Sequence, residues 1–250
     1  VGEIVARHFA PKTGLARARN TVGTWLERWY ADEGRDVLDR HAIDVRDAPV
    51  AAFMNRQRRL ATEYCGEVDP TDIDEYQRMN GFEALRKCLG ASYPRESNEG
   101  AGKEVPLQPE DVIEEIRRSG LRGRGGAGFP TARKWQTVHD AAPGARGEAK
   151  FLICNGDEGD PGAFMDRMIL ESYPYRVIEG MIIASYAVGA HEGLFYIRAE
   201  YPLAVARIKE ALDECVKAGM LGDDILGSGH AFHLRVMEAA GAFVCGEETA

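Results

Sequence analysis

Residues 120–135 read "GLRGRGGAGFPTARKW", five glycines with Arg122, Arg124, Arg133 and Lys134 among them, in a chain whose formal charge is -9. Gly125, Gly126 and Gly128 permit a backbone to pass close to a flat or anionic ligand with its amides turned inward, while the cations supply charge. Gly123, Gly125 and Gly128 match the dinucleotide spacing G-x-G-x-x-G, but that fingerprint follows a strand, and here a helical pattern precedes it. No G-K-[ST] follows Gly128, so the loop is not a nucleoside-triphosphate P-loop either. The segment Gly123, Arg124, Gly125, Gly126, Ala127, Gly128 and Phe129, with Lys134, is read as a ligand-binding loop rather than a solvated surface turn.

A second stretch, "CNGDEGDPGAFMDR" at 154–167, gathers Asn155, Asp157, Glu158 and Asp160 just past an apolar run. Carboxylates so close repel one another and need a cation, donors from a ligand, or solvent. Three readings stand: a loop of solvated acids; a magnesium or calcium site, although the spacing departs from the D-x-D-x-D-G calcium loop; or acceptors for a ring edge and sugar hydroxyls. The metal reading would make Asp157, Glu158 and Asp160 the centre of a hydrolase. "GAFVCGEETA" at 241–250 repeats the arrangement with Gly246, Glu247 and Glu248, and a carboxylate at a strand end grips ribose hydroxyls in dinucleotide sites. Cys154 and Cys245 beside these loops have no His or Lys near them in sequence and read as small buried hydrophobes.

These loops must be positioned by the elements around them. "PEDVIEEIRRSG" predicts a helix with acids in its first turn and Arg and Gly at its end. Beyond the glycine loop, "KFLICN" reads as a short buried strand, "DRMILESY" and "RVIEGMIIASYAVGA" as helices, and "GLFYIR" as a strand. "PLAVARIKEALDECVKAGML" then reads as an amphipathic helix and "FHLRVME" as a third strand. Strand and helix in alternation predict right-handed crossovers and a parallel sheet, with ligands where loops leave the carboxyl ends of strands. The first 90 residues read as helical: Leu15, Val22, Trp25, Leu26 and Trp29 at helical spacing, then short helices before Gly81 and Gly90. The division expected is 1–90 helical, 91–107 linker, and 108–250 ligand-binding domain.

At 250 residues, with 44% hydrophobic and 28% charged, the chain buries a full core. Forty acids against 31 bases argue against a nucleic-acid or anionic-membrane surface, so any phosphate must be met locally. The longest apolar stretch, 177–190, is interrupted by Glu179 and falls short of the roughly 20 residues of a membrane span. The opening "VGEIVARHFAPKTG" lacks an apolar h-region, so it is not read as a signal peptide. Five cysteines without CxxC spacing suit a reducing, cytoplasmic setting and hold no spaced cysteine site for an iron–sulfur cluster.

The three motifs together, in order over about 108–250, resemble the flavoprotein subunits that carry FMN and the NADH site in respiratory complex I. The same family includes the diaphorase subunits of soluble NAD(P)-linked hydrogenases and formate dehydrogenases. The lead-in "FMNRQRRLATEYCGEVDPTDIDEYQRMNGFEALRKCL" at 53–89 is similar to the hydrogenase and formate dehydrogenase type.

The resemblance implies a Rossmann-like sheet modified for FMN, with Gly126, Lys134, Asn155, Asp157 and Glu158 against the flavin and Gly246 and Glu247 close to it. It implies that the glycine loop with Phe129 covers NAD(H), and that Glu248 holds its ribose hydroxyls and disfavours NADPH. Asp160, Phe243 and Thr137 depart from the commonest family residues, Thr137 standing where several members carry an aromatic. The implied activity is hydride exchange between NAD(H) and FMN, with single electrons passed to iron–sulfur clusters. A thioredoxin-like [2Fe-2S] subunit and a cluster-bearing catalytic subunit would be the partners. The family continues past "GEETA" to a helical domain binding a [4Fe-4S] cluster, so the chain is expected to be a fragment. A nucleotide-binding module without electron transfer is the other class in view.

Overall fold

Three strands, β1 (Phe151–Gly156), β2 (Glu192–Arg198) and β3 (His233–Ala239), pair in parallel in that spatial order. Ile153 lies beside Leu194, and Phe195 beside Val236. The computed structural model describes residues 52–53, 56–64, 68–91, 105–124, 126–141 and 149–240. Contacts divide the chain into residues 1–60 and 61–250, and every element named below belongs to the second unit. The helix predicted on Leu15, Val22, Trp25, Leu26 and Trp29, and most of the 91–107 segment, lie outside the described residues.

Helices α5 (Met165–Ser172) and α6 (Pro174–Val188) connect β1 to β2; α7 (Pro202–Lys217) and a 3-10 turn at Ile225–Gly227 connect β2 to β3. Right-handed crossovers between strands in sequential order put their helices on one face of the sheet. That face carries Leu152, Cys154, Phe195, Ile197, Leu234 and Val236, packed with Leu170, Ile178, Ile182, Ile208 and Phe232 in the main core. The α/β class with a parallel sheet is therefore as the sequence predicts. Tight packing extends to the strand exit: a Cβ at Gly156 would stand 2.9 Å from Leu170 Cδ1 and 3.1 Å from the Tyr196 carbonyl.

The "KFLICN" strand differs from its expectation. Phe151 and Ile153 are 55% and 59% exposed while Leu152 and Cys154 turn inward. With both crossovers on one face, the helices bury only alternate residues of β1, and a continuous apolar run does not reveal which.

Upstream, α1 (Ile73–Arg78) and α2 (Glu83–Leu89) lead to α3 (Pro109–Ser119) and α4 (Thr131–Asp140). Phe82, Leu85 and Leu89 enter the main core, whereas Cys88, Val112, Ile113, Ala132 and Ala187 form a second cluster on the other side of α6. Helix α6 is thus a shared wall, and ten of its residues are buried.

One of them is a carboxylate. Glu179 accepts from the Tyr76 hydroxyl at 2.5 Å and from the backbone N–H groups of Phe82 and Leu85 at 2.9 and 3.2 Å. Phe82, the residue preceding α2, has φ 60° and no side chain that can cap, so Glu179 satisfies the free amides of α2 from a different helix. Burial, then the neighbouring Glu179 charge, raises the Tyr76 hydroxyl well above its ordinary range.

At the opposite end of the sheet His230 packs edge-on against Tyr186 and lies 3.0 Å from Ser185 Oγ through Nε2. Ser185 donates its own hydrogen to the Ile182 carbonyl at 2.7 Å, so the imidazole is the donor to Ser185 Oγ, through Nε2–H. Burial, with His191 nearby, pushes the His230 pKa down to about 4.

Glu179→Leu leaves two buried amides and a hydroxyl without an acceptor and is expected to cost about 3 kcal/mol or more in urea unfolding; a loss below about 1 kcal/mol would refute the cross-helix cap. Because the folded-state pKa of His230 lies below its unfolded value near 6.5, its contribution is complete above about pH 6.5 and is lost as pH falls toward 4. The difference in stability between wild type and His230→Gln, measured by urea unfolding, should therefore shrink across that window; a pH-independent difference would contradict the assignment.

Candidate functional site

Helix α3 stops at Gly120, which adopts φ 68° and donates to the Arg117 carbonyl. The glycine loop then closes on itself. Gly123 N–H donates to the Phe129 carbonyl at 2.9 Å, Thr131 N–H donates to the Leu121 carbonyl at 3.0 Å, and Arg122 bridges Pro130 in antiparallel fashion. Gly126 and Gly128 have φ 104° and 62°, a region that L side chains rarely enter. A Cβ at Gly126 would meet nothing within 4 Å, so glycine there serves backbone conformation and leaves the tip open.

Arg133 and Lys134, read from sequence as part of the loop, belong to the first turn of α4. That helix was not predicted, because its apolar residues are few and sit next to glycines. Its first turn holds no acid, and no side chain caps its N-terminus. Cations there oppose the helix dipole, an arrangement that a bound anion reverses. Their charges sit 5.7 and 5.9 Å from the ring centre of Phe129, which is 39% exposed. At the base of the loop a cleft of about 500 Å³ opens between α3 and α4, lined by Arg117, Leu121, Arg122, Arg133 and Thr137 among others.

The acidic loop leaves the carboxyl end of β1, and its residues are not equivalent. Asn155 Oδ1 accepts from Asp157 N–H at 3.0 Å, turning the chain. The Asp157 side chain is 1% exposed, and neither carboxylate oxygen has a hydrogen-bond donor among the described residues. Glu158 is committed elsewhere: its oxygens accept from the Asp166 and Arg167 N–H groups at 3.1 and 3.2 Å, at the start of α5. Burial, then Glu158, raises the Asp166 pKa. Asp160 is exposed. Burial pushes the Cys154 thiol up to about 12, which makes it the inert small hydrophobe expected.

The acids therefore do not converge on one point. Among the described residues no group of three His, Cys, Asp or Glu side chains could hold a metal ion. Asn155, Asp157 and Glu158 are brought together by their own turn. Gly123, Arg124, Gly126, Ala127, Gly128, Phe129 and Lys134 form a separate group, and among the described residues no hydrogen bond or ion pair links the two. Gly125, Gly246, Glu247 and Glu248 lie outside the described residues, as does Cys245.

Sequence reasoning missed Arg198 and Tyr201 in "YIRAEY". Both donate to the Glu158 carbonyl, at 2.8 and 2.9 Å. A basic residue at the exit of the strand beside an acidic loop was the available signal. Among the described residues the acidic loop holds two buried acceptor oxygens without donors, and the glycine loop an open tip beside an aromatic ring and cations on an uncapped helix start.

Residues 116–250 match the model of the Nuo51 FMN-binding domain. Over 195 residues the chain is 47% identical to the NADP-reducing hydrogenase subunit HndC of Solidesulfovibrio fructosivorans, covering 78% of this chain and 36% of that protein. It is 45% identical over 179 residues to an NADH-quinone oxidoreductase subunit of Aquifex aeolicus, covering 71% and 37%. A solved NAD+-reducing [NiFe]-hydrogenase in the H2-reduced state aligns at 39% identity with a TM-score of 0.49, covering 56% of this chain and 23% of that one. The chain thus spans little more than a third of the length of the relatives it matches. A family model that takes in more than half of the residues, glycine loop and acidic loop included, places this chain in the Nuo51 FMN-binding domain family.

Proposed function

We propose that this chain is part of an electron-input flavoprotein subunit, an NAD(P)H-dependent oxidoreductase component of a multi-subunit complex. Residues 108–250 would form its FMN- and NADH-binding region, 1–90 a helical lead-in and 91–107 the link between them. The observation that carries the reading is the Asp157 carboxylate, buried at a strand exit with both oxygens lacking donors among the described residues. An unsatisfied buried acceptor is costly, and a ligand's N–H or O–H groups relieve the cost.

When bound, FMN supplies the chemistry of accepting a hydride from NADH and releasing electrons one at a time. The protein's part is to bind and orient. Asn155 and Asp157 would accept from the ring edge and ribityl hydroxyls, and Glu158 would hold the loop to α5. The glycine loop beyond Gly123, with Lys134 at the start of α4, would meet phosphate, and Phe129 offers a flat face to a nicotinamide dinucleotide. By resemblance, Gly246 and Glu247 complete the flavin contact and Glu248 takes the ribose hydroxyls. No general acid or base is assigned.

A soluble hydrogenase- or formate dehydrogenase-type complex is favoured by the sequence lead-in and by the 47% identity to the hydrogenase subunit; the NADH dehydrogenase flavoprotein of complex I is the alternative. The partners proposed are a thioredoxin-like [2Fe-2S] subunit and a cluster-bearing catalytic subunit, with a [4Fe-4S] cluster in a C-terminal part of the protein. Among the described residues no helix is long and apolar enough to cross a membrane. Cys88, Cys154 and Cys215 are free thiols, which supports a cytoplasmic setting.

Anaerobic titration of the purified native complex with NADH, after chromatographic identification of its flavin, should bleach FMN absorbance and then cluster absorbance. A complex without flavin, or with flavin that NADH leaves oxidised, overturns the reading. Glu248→Gln is expected to raise kcat/KM for NADPH relative to NADH by about tenfold, the scale of one charged contact. An unchanged ratio in steady-state assays would remove Glu248 from the ribose.

A further inference from the structure

Asp157 presents an electrostatic difficulty that the binding proposal leaves open. A carboxylate 1% exposed needs a countercharge, yet a countercharge that donates hydrogen bonds to it would use the oxygens a ligand must reach. Arg198, at the end of β2, stands where both demands meet. Its Nε lies 3.6 Å from Asp157 Oδ1, within ion-pair range and beyond a hydrogen bond. Three of its five donors are engaged by other groups, the Nε–H nearest Asp157 among them: Nη1 by the Glu158 carbonyl at 2.8 Å, Nε and Nη2 by the two Glu200 oxygens at 3.3 and 3.0 Å. The guanidinium side chain is itself only 21% exposed, so its field at Asp157 is weakly screened.

The remaining contacts lock this arrangement. Tyr201 donates to the same Glu158 carbonyl at 2.9 Å, and its ring is covered by the Arg167 guanidinium at 5.4 Å. Arg167 in turn pairs with Glu171 at 2.9 Å on α5, the helix whose first amides Glu158 holds. The end of β2 therefore holds the acidic loop of β1 through main chain rather than through the Asp157 carboxylate.

We propose that Arg198 is the positioning residue of the acidic loop: restrained by Glu200 and the Glu158 carbonyl, it compensates the charge of Asp157 while leaving both carboxylate oxygens free to accept from a ligand. The consequence for affinity rests on the FMN reading above; the consequence for the loop does not. Glu200 acquires a role too, since it holds the guanidinium back from Asp157.

The test uses the full-length subunit in its purified complex, with flavin removed and FMN added back. In the flavin-free protein, Arg198→Gln should speed amide exchange at 157–160 by about tenfold or more, the scale of lost charge-assisted hydrogen bonds. Tyr201→Phe, which removes only the second donor, should speed it less. On FMN titration followed by flavin fluorescence, Arg198→Gln should raise Kd by about tenfold and shift the bound-flavin absorbance, the loss of one charged contact. Arg198→Lys, which keeps the charge without the fork, should recover part of the Kd. In an Asp157→Asn background the further effect of Arg198→Gln should fall below about threefold, because the two act as one unit.

Effects that multiply in full, or an Arg198→Gln protein with unchanged loop exchange and Kd, would overturn the proposal. If the wild-type protein binds no FMN, the functional reading fails, while the flavin-free exchange data still decide whether Arg198 positions the loop.

Discussion

Parallel pairing of β1, β2 and β3 is the constraint on which the rest depends. Strands that run the same way must be joined by crossovers, and these deliver every strand's carboxyl end to one edge. The acidic loop at 157–160 and the Arg198–Tyr201 segment are neighbours for this reason alone, although about 40 residues separate them in sequence. The crossovers also settle where the core lies. Helices α5, α6 and α7 share one face, and α6 serves two apolar clusters at once. A helix in that position is apolar nearly all round, so its single carboxylate, Glu179, had to find three donors on the helices that precede the sheet.

Charge is distributed under a similar constraint. A chain of formal charge -9 has no broad positive surface to offer a phosphate, and it concentrates Arg122, Arg124, Arg133 and Lys134 about one glycine loop and the helix that follows. That helix begins without acid or cap, the reverse of what helix stability alone would favour. The acidic loop inverts the usual ion pair in a similar way. Arg198 lies within ion-pair range of Asp157, and its nearest donor, Nε–H, goes to Glu200 instead. Both features leave binding capacity unused among the described residues.

Much of this was legible from residue types and order. Alternation of apolar runs with amphipathic segments predicted the parallel α/β sheet, and apart from α4 the strand and helix assignments from 109 onward hold to within a few residues. The glycine loop and the Asn155–Asp160 cluster were readable because they depend on local chemistry: glycines where the backbone must be open, acids where a strand ends. Family membership was readable on the same motifs, since it is a matter of their sequence.

Other features were decided in three dimensions. That β1 hides Leu152 and Cys154 but exposes Phe151 and Ile153 follows from which side the crossovers take, and an unbroken apolar run carries no such information. That Glu158 braces α5 while Asp157 keeps its oxygens free depends on where the chain turns after Gly156, not on any difference between two adjacent acids in sequence. Arg198 gains its place from the pairing of β2 with β1. The sequence alone determined which chemistries were possible, because composition and local spacing limit what a segment can bind. Only the tertiary structure decided which carboxylate is satisfied and which has no donor among the described residues, because that depends on contacts between residues far apart in the chain.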